Sequence, residues 1–337
     1  GVVVHRAWLR AGSFGGRLID NAILFVWLLL NRNDFVVLHF FFAPNRLTCT
    51  VLRWLRRISP GVVFVQTVLS RPREWQSVGD LIFGHVVTVG SEDARRQIRR
   101  YAGRDAILVR PGIDAGQVAS ISRDDALRAL DLRPGPMRLL FAGDIDEGGA
   151  LDHLGHIVPA VLDADASVQF HFSVRTKRVT TRARAEAFVA THLSRFGERV
   201  VVHWDHPNFA LLIAAMDAQV LPAEHLYTKV DAPLVALEAM AHGQPVFVLD
   251  RAPLNELPPP GLRDRLVATD DAGLVARIVT AAGRHGSEAA AADGRLVREH
   301  VAARFSAAAA AARFGAIHGG TLREGDDRAG EGDAEAS

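Results

Sequence analysis

The sequence predicts an α/β protein with two doubly wound, parallel-sheet domains that face one another across a cleft. The length of 337 residues is enough for two domains. Short apolar runs alternate with helix-length segments, which is typical of parallel sheets covered on both faces. The alternation stops once, at Asp131–Met137, where two prolines flank a glycine and a helix cannot continue. We therefore place the domain boundary there.

The first domain is predicted over residues 1–132. Its expected strands are Val2–His5, Phe35–Phe41, Val62–Gln66, His85–Val89 and Ala106–Val109. Its expected helices are Leu18–Leu30, Arg46–Ile58 and Glu92–Tyr101. The run Ala22–Leu30 is strongly apolar but shorter than the roughly 20 residues that span a bilayer. We interpret it as a buried helix. The alternative is a helix on a membrane surface, helped by nearby arginines: Arg17, Arg32, Arg53, Arg56 and Arg57.

The second domain is predicted over residues 136–300. Its expected strands are Arg138–Ala142, Val168–Phe172, Val200–His203, Ala218–Leu221 and Pro245–Leu249. Its expected helices are Leu151–Leu162, Thr181–Phe196, Phe209–Met216, Pro233–His242 and Leu274–Gly283. An alanine-rich helix or helix pair follows from about Ala289 to Ile317, and we expect its part at 301–320 to pack back on the first domain. Residues 324–337 are acidic and lack large apolar side chains, which predicts a disordered tail.

The composition is that of a globular protein, with 49% apolar and 23% charged residues. The single cysteine, Cys49, excludes an internal disulfide framework and favours a reducing cytoplasm. The formal charge of +1 hides an asymmetry, because residues 1–115 carry 16 arginines against 8 acidic side chains. A basic first half suggests an anionic surface or substrate, and a solvated arginine-rich face is an equally good explanation.

Lysine is almost absent, since only Lys177 and Lys229 occur among 39 basic side chains. Lys229 comes shortly before an apolar helix in which Pro233 suits the first turn, with Asp231 or Ala232 as its cap. The free N–H groups of that turn form an anion site that Lys229 can reach. Glu238 lies about one and a half turns along, where a carboxylate can accept sugar or ribose hydroxyls. The alternative is a surface loop entering an ordinary core helix.

This segment, Lys229-x-Asp-x-Pro-Leu-x-x-Leu-Glu-Ala-Met-Ala-x-Gly-x-Pro-Val246, resembles the nucleotide-sugar segment of family 4-type (group 1) retaining glycosyltransferases. Those enzymes have the GT-B fold, two Rossmann-like domains around a cleft. Further segments resemble the family in the same order: Asp34–Phe40, Val63–Thr67, Val87–Ser91, Val109–Asp114, Leu139–Gly143, Asp250 and Pro253–Leu257. The likeness therefore covers most of the chain.

The resemblance implies a hexosyltransferase-type enzyme that moves a sugar, with retention, from a nucleotide sugar to a glycan or lipid-linked acceptor. A UDP- or GDP-sugar is the expected donor, with no metal and no further cofactor. The expected location is cytoplasmic, at the inner membrane face, with no nucleic-acid partner. A catalytically impaired binding or scaffold protein of the same fold is the alternative. A dehydrogenase is disfavoured, because neither first βα turn reads Gly-x-Gly-x-x-Gly.

The resemblance also implies the roles of particular residues. Lys229, Glu238 and His39 are expected to be catalytic, with Glu238 on the ribose and Lys229 facing the diphosphate. The expected donor-binding residues are Gly143, Asp144, Arg175, Lys177, Trp204, Asp231, Pro233 and Leu234. Gln66 and Thr67 are expected on the acceptor side. Histidines elsewhere have no metal-ligand spacing.

Several positions depart from the family pattern. The cations that usually follow the glycine aligned with Gly143 are replaced by acids: Asp144, Asp146 and Glu147. Other family side chains are replaced by Val37, Leu69 and Val230. The lost cations favour the scaffold alternative, because a leaving diphosphate needs cations or dipoles nearby. No Gly-rich loop of the kind found in relatives precedes Val2–His5. We therefore expect a short first domain, through truncation or loss of that βα unit.

Overall fold

The computed structural model describes residues 18–42, 45–68, 70–143, 145, 148–176, 179–227 and 229–322. The strand predicted at Val2–His5 and the predicted tail at 324–337 lie outside the described residues. Within these ranges the chain forms two α/β domains, each built on a parallel sheet, as the sequence predicts.

The first domain has a four-stranded parallel sheet in the order β1-β2-β3-β4. Its strands are β1 (Val37–Phe42), β2 (Val63–Val68), β3 (Val86–Val89) and β4 (Ile107–Leu108). Its helices are α1 (Leu18–Leu30), α2 (Arg46–Arg57) and α3 (Glu92–Ala102). Two 3₁₀ segments, Arg32–Asp34 and Trp75–Leu81, complete it. The central strand β2 is buried from Phe64 to Val68, as a strand covered on both faces must be.

The second domain has a six-stranded parallel sheet in the order β10-β9-β8-β5-β6-β7. Its strands are β5 (Met137–Phe141), β6 (Val168–Val174), β7 (Val200–Trp204), β8 (Ala218–Leu221), β9 (Val246–Leu249) and β10 (Val267–Ala268). Its helices are α6 (Ala150–Ala164), α7 (Val179–His192), α8 (Phe209–Ala214), α9 (Leu234–Ala241), α10 (Arg263–Leu266) and α11 (Asp271–Ala282). Shorter 3₁₀ segments are Ser194–Arg199, Leu254–Glu256 and Pro260–Leu262. This strand order is the doubly wound order of dinucleotide-binding sheets.

Helices begin where a polar side chain can satisfy a free N–H group of the first turn. Ser91, for example, caps α3 by accepting a hydrogen bond from the Ala94 N–H at 3.1 Å. The other side-chain caps are Asn45, Asp114, Ser122, Asn208, Asp270, Ser287 and Ser306. These residues explain most helix starts from local sequence alone.

Two short helices connect the domains, α4 (Ala115–Val118) and α5 (Arg123–Ala129). Ala126 and Leu127 of α5 are buried in a cluster with Leu140 of β5 and Leu212 of α8. Both are therefore part of the second domain's core, although the sequence boundary assigns residues 1–132 to the first domain. Helix α5 already ends at Ala129, before Pro134 and Pro136, so these prolines do not mark where the second core begins.

The alanine-rich region forms two helices, α12 (Glu288–Arg304) and α13 (Ala307–His318). Ile317 of α13 is buried against Val65, Ile107 and Val109 of the first domain. The turn between α12 and α13, at Ser306, packs closely against Gly112. A Cβ added to Gly112 would lie 2.5 Å from the Ser306 carbonyl oxygen. A residue without a Cβ is therefore needed there.

Candidate functional site

The second sheet reverses its strand order between β5 and β8, which are neighbours in the sheet. The segments after these two strands consequently diverge and leave a crevice at their carboxyl ends. Crevices of this kind are where open α/β sheets bind ligands. Two adjoining cavities occupy this position, and they share Ala142, Gly143 and Val235 in their walls.

The first cavity, which we call the Ser70 cavity, has a volume of about 390 Å³. It is lined by Ser70 of the first domain and by residues that follow β5 and β8 in the second. Its lining includes Gly143, His225, Tyr227, Lys229 and Pro233. It therefore lies between the domains and brings Lys229 to the start of α9.

The second cavity, the Arg175 cavity, has a volume of about 550 Å³. Arg175, Asp205, His206 and Phe209 line it in addition to the shared residues. Hydrogen bonds from Thr176, and the nearby Arg175 and Arg182 charges, hold the pKa of Asp205 below its usual value. The exposed Arg175 thus shares this cavity with a carboxylate that stays ionised.

Helix α9 begins one residue later than predicted. Pro233 is its cap, not part of its first turn, and neither Asp231 nor Ala232 caps it. The Pro233 carbonyl accepts hydrogen bonds from the Ala236 and Leu237 N–H groups at 3.0 and 3.3 Å. The N–H groups of Leu234 and Val235 precede these intrahelical bonds, and Val235 lines both cavities. The positive end of the helix is therefore directed at the crevice.

Glu238 lies on α9, three residues after Val235 and so on the same side of the helix. Its side chain is half-buried, and burial raises the pKa of its carboxyl group above the usual value. Among the described residues, no hydrogen bond or ion pair engages this carboxylate. A half-buried carboxylate without a protein partner is costly unless a ligand supplies hydrogen-bond donors.

Asp231 lies in a different environment from the one predicted. Its carboxylate is buried and accepts hydrogen bonds from Ser91 at 2.5 Å and from Arg71 at 3.3 Å, both residues of the first domain. Asp231 lines neither cavity. Burial raises its pKa, and the Arg71 charge opposes that rise. This side chain joins the two domains, so its predicted contact with the donor has no support in this geometry.

The predicted acceptor-side residues are engaged within the first domain. The Gln66 amide donates to the Leu81 carbonyl at 2.8 Å and accepts from the N–H groups of Phe83 and Gly84. Thr67 Oγ1 is hydrogen-bonded to His39 Nε2 and to Thr88 Oγ1, both at 2.7 Å. Gln66 therefore supports the turn before β3, and its side chain is buried with both amide atoms engaged.

His39 is held at both ring nitrogens. Its Nε2 contacts Thr67, and its Nδ1 lies 2.8 Å from His318 Nε2 on α13. The rings of Phe41 and Phe314 pack against it. Burial, followed by the nearby His318, lowers the pKa of His39 to about 4. Its catalytic role stays a prediction, while its contacts make it a link between α13 and the first sheet.

The other predicted donor residues divide into three cases. Gly143 lines both cavities, and an added Cβ there would lie 2.7 Å from the Phe141 ring. Trp204 ends β7 with the Arg182 guanidinium 4.7 Å from its ring centroid, and it lines neither cavity. Asp144 and Lys177 lie outside the described residues.

Three cavity residues were not predicted from the sequence: Ser70, His206 and His225. Within the described part of the chain, Nδ1 of both histidines is buried without a hydrogen-bond partner. The His225 ring stacks on Tyr227 at 4.2 Å. His206 follows β7 and His225 follows β8. These positions could have identified both histidines, because loops at those strand ends face the crevice.

Among the described residues, no group of three or more His, Cys, Asp or Glu side chains is placed to hold a metal ion. No described helix has the length and apolarity that a bilayer crossing requires.

Solved structures share this fold over most of the chain. A glycosyltransferase from Rickettsia africae superposes with a TM-score of 0.71 at 13% identity, covering 93% of this chain and 84% of that one. Anabaena HepE in complex with UDP gives 0.73 at 14% identity, covering 88% and 82%. Sucrose-phosphate synthase from Thermosynechococcus elongatus gives 0.69 at 20% identity, covering 90% and 77%. No curated protein sequence matches significantly.

Two Rossmann-like domains, with a crevice at the switch point of the second, define the GT-B fold class of glycosyltransferases. Residues 136–283, which make up most of the second domain, match the family model of Glycosyl transferases group 1. This match of the second domain and the shared fold support a transferase enzyme. The resemblance seen in the sequence is confirmed.

Proposed function

We propose that this enzyme transfers a hexose from a UDP- or GDP-sugar, bound at the switch point of the second domain, to a glycan or lipid-linked acceptor. The observation that carries the proposal is Glu238, a half-buried carboxylate without a partner among the described residues, three residues along α9 from Val235, which lines both cavities. Ribose hydroxyls would supply the missing donors. In support, HepE of the same fold has been solved with UDP and with UDP-glucose.

The diphosphate has a matching environment at the start of α9. The first-turn N–H groups of Leu234 and Val235 and the ammonium group of Lys229 supply positive charge at the Ser70 cavity. In the reaction the bond between the anomeric carbon and the diphosphate oxygen breaks. The acceptor hydroxyl oxygen forms the new bond, and the nucleoside diphosphate leaves and takes up the proton that the hydroxyl loses. Positive groups that stabilise the leaving diphosphate lower the barrier. Retention and metal independence are part of the proposal.

The acceptor would approach from the first domain, whose surface favours an amphipathic partner. Helix α1 exposes apolar side chains, and more are exposed nearby in the same domain: Ile23, Leu24, Val26, Trp27, Leu30, Val36, Leu47 and Trp54. A surface of this kind suits peripheral contact with a membrane and a lipid-linked acceptor. The predicted arginines contribute less than expected. Arg53 and Arg56 donate to carbonyls of residues 80–84, and Arg17 lies outside the described residues.

A thermal-shift panel with UDP-, GDP-, ADP- and TDP-sugars tests the donor site. A ligand at about 100 times its dissociation constant adds roughly 2.7 kcal/mol, which is readily measured. We expect one nucleotide to shift the unfolding temperature. Loss of a hydrogen bond to a charged group costs about 1.5–3 kcal/mol, so Glu238→Gln should weaken its binding at least tenfold.

The matched control is Glu299→Gln, which changes an exposed carboxylate on α12. Equal affinity in both variants would contradict the Glu238 assignment. Binding without sugar transfer or hydrolysis would instead favour the catalytically impaired binding protein.

A further inference from the structure

Arg71 lies at the boundary between the two domains and is almost completely buried, with 8% of its side chain exposed. Its guanidinium contacts two carboxylates, Asp93 of α3 and Asp231 of the second domain. It also packs over the Trp75 ring, 5.2 Å from the centroid. A planar guanidinium can bridge two carboxylates from two separate nitrogens in a fixed geometry, whereas an ammonium group has all its N–H groups on one nitrogen.

The backbone of the same residue crosses the boundary. The Arg71 N–H donates to the Lys229 carbonyl at 3.2 Å, and Arg71 forms a parallel bridge with Tyr227. Ser70, the preceding residue, lines the cavity together with Tyr227 and Lys229. The segment that carries Lys229 is thus paired with the first domain through Arg71.

Two further contacts join the same surfaces at the start of α3. Ser91 donates to Asp231 at 2.5 Å while its Oγ accepts from the Ala94 N–H. The Glu256 carboxylate accepts from the N–H groups of Glu92 and Asp93 at 2.9 and 2.8 Å. Carboxylates of the second domain thereby meet the positive end of a first-domain helix.

We propose that Arg71 is a positioning residue for the donor site. It ties the Tyr227–Asp231 segment to the first domain and so places Lys229 at the Ser70 cavity. Asp231 accordingly acts as the second-domain end of this link. This inference rests on the proposed function only for the role of Lys229, because the link itself is independent of any ligand.

The link is tested by hydrogen exchange followed by mass spectrometry on peptides that contain Arg71. Asp231→Asn and Arg71→Lys should each raise the exchange rate of the Arg71 amide about tenfold. The matched control is Arg96→Ala. Arg96 is 66% exposed and approaches Asp93 and Glu256 only at 3.7 and 3.9 Å, so its removal should leave exchange unchanged. Unchanged exchange in both test variants would overturn the proposal.

If Asp231→Asn fails to fold, Ser91→Ala removes one bond to the same carboxylate and gives a milder version of the same test. An unchanged exchange rate in Ser91→Ala and in Arg71→Lys would again contradict the link. Because exchange needs no ligand, this measurement decides the link even if no nucleotide sugar binds and the proposed function fails.

The positioning role is tested by a double-mutant cycle with the nucleotide sugar that binds the wild type. Arg71→Lys should raise the dissociation constant or KM about tenfold. In a Lys229→Ala background the same change should have little further effect, because Arg71 acts through Lys229. A merely structural role would give the same loss in both backgrounds, and that result would refute the positioning role.

Discussion

Gln66 shows at the scale of a single residue how the backbone environment decides a side chain's role. Three backbone groups at residues 81–84 depend on its amide, and Gly84 lies so close that an added Cβ would be 2.9 Å from the Gln66 Cβ. The family resemblance placed Gln66 on the acceptor side, at the end of a predicted strand. The position of Gln66 in its strand was predictable from the sequence. The contact between its side chain and the backbone of residues 81–84 was not.

Replacing Gln66 with methionine should therefore destabilise the first domain. The change leaves two buried N–H groups without acceptors, which costs about 2–4 kcal/mol in total. Urea unfolding followed by fluorescence measures the free energy of unfolding. Gln117→Met, at an exposed position on α4, is the control and should change stability little. Equal stability of the two variants would show that the Gln66 hydrogen bonds contribute nothing.

His39 predicts a pH dependence of stability. Its pKa is about 4 in the folded protein, below the ordinary 6.5, so the unfolded chain binds more protons between these values. The stabilisation from neutral His39 is complete above pH 6.5 and is lost as the pH falls towards 4. His39→Gln loses the hydrogen bonds to Thr67 and His318, so it should be less stable than the wild type at pH 7. The difference in unfolding temperature between the wild type and His39→Gln should be smaller at pH 4.5, because only the wild type loses stability as His39 becomes protonated. A constant gap would contradict the prediction.

At the scale of elements, α9 illustrates the limits of local signals. Its extent was predicted within two residues, because Pro233 and Gly243 bracket an apolar run. Its cap was not, because proline is favoured in the first helical turn and here takes the position before it. Asp231 has the side chain of a good cap, but the bonds it makes to Ser91 and Arg71 take that carboxylate away from the helix.

The return of α13 to the first domain depends on Gly112. Changing Gly112 to alanine places a Cβ 2.5 Å from the Ser306 oxygen, which should cost about 1–3 kcal/mol and loosen the turn before α13. Limited proteolysis near Arg304 should then become faster. Gly116→Ala is the control, since the nearest atom to its added Cβ is 3.5 Å away. Similar cleavage rates in the two variants would exclude this role for Gly112.

At the scale of the whole molecule, the apolar surface of α1 predicts binding to membranes. Trp27 is 39% exposed and Leu30 is 76% exposed, so both can enter a lipid interface. Sedimentation with anionic vesicles should detect binding, and the double change Trp27→Ser and Leu30→Ser should weaken it about tenfold. Leu296→Ser removes an exposed leucine from α12 and serves as the control. Equal loss in the control would mean that α1 has no special role.

The two sheets and most helix positions were predictable from the sequence, since apolar strands and capped helices are local signals. The strand Ile107–Leu108, for instance, falls inside the predicted Ala106–Val109. The domain boundary was less predictable. The prolines in segment 131–137 predict only that a helix cannot continue there. That Ala126 and Leu127 are buried beside Leu140 depends on how α5 packs against the second domain.

The sequence by itself determined the fold class, the helix within Lys229–Val246 and the position of Glu238 on that helix. Each of these depends on residue order and on helical or strand periodicity. Only the tertiary structure decided which side chains share a cavity and which join the domains. Arg71 and Asp231 are 160 residues apart in the sequence, yet their side chains are hydrogen-bonded. Ser70, next to Arg71, lines the same cavity as Lys229. Contacts at such separations depend on how two finished domains pack, and periodicity within one segment carries no information about them.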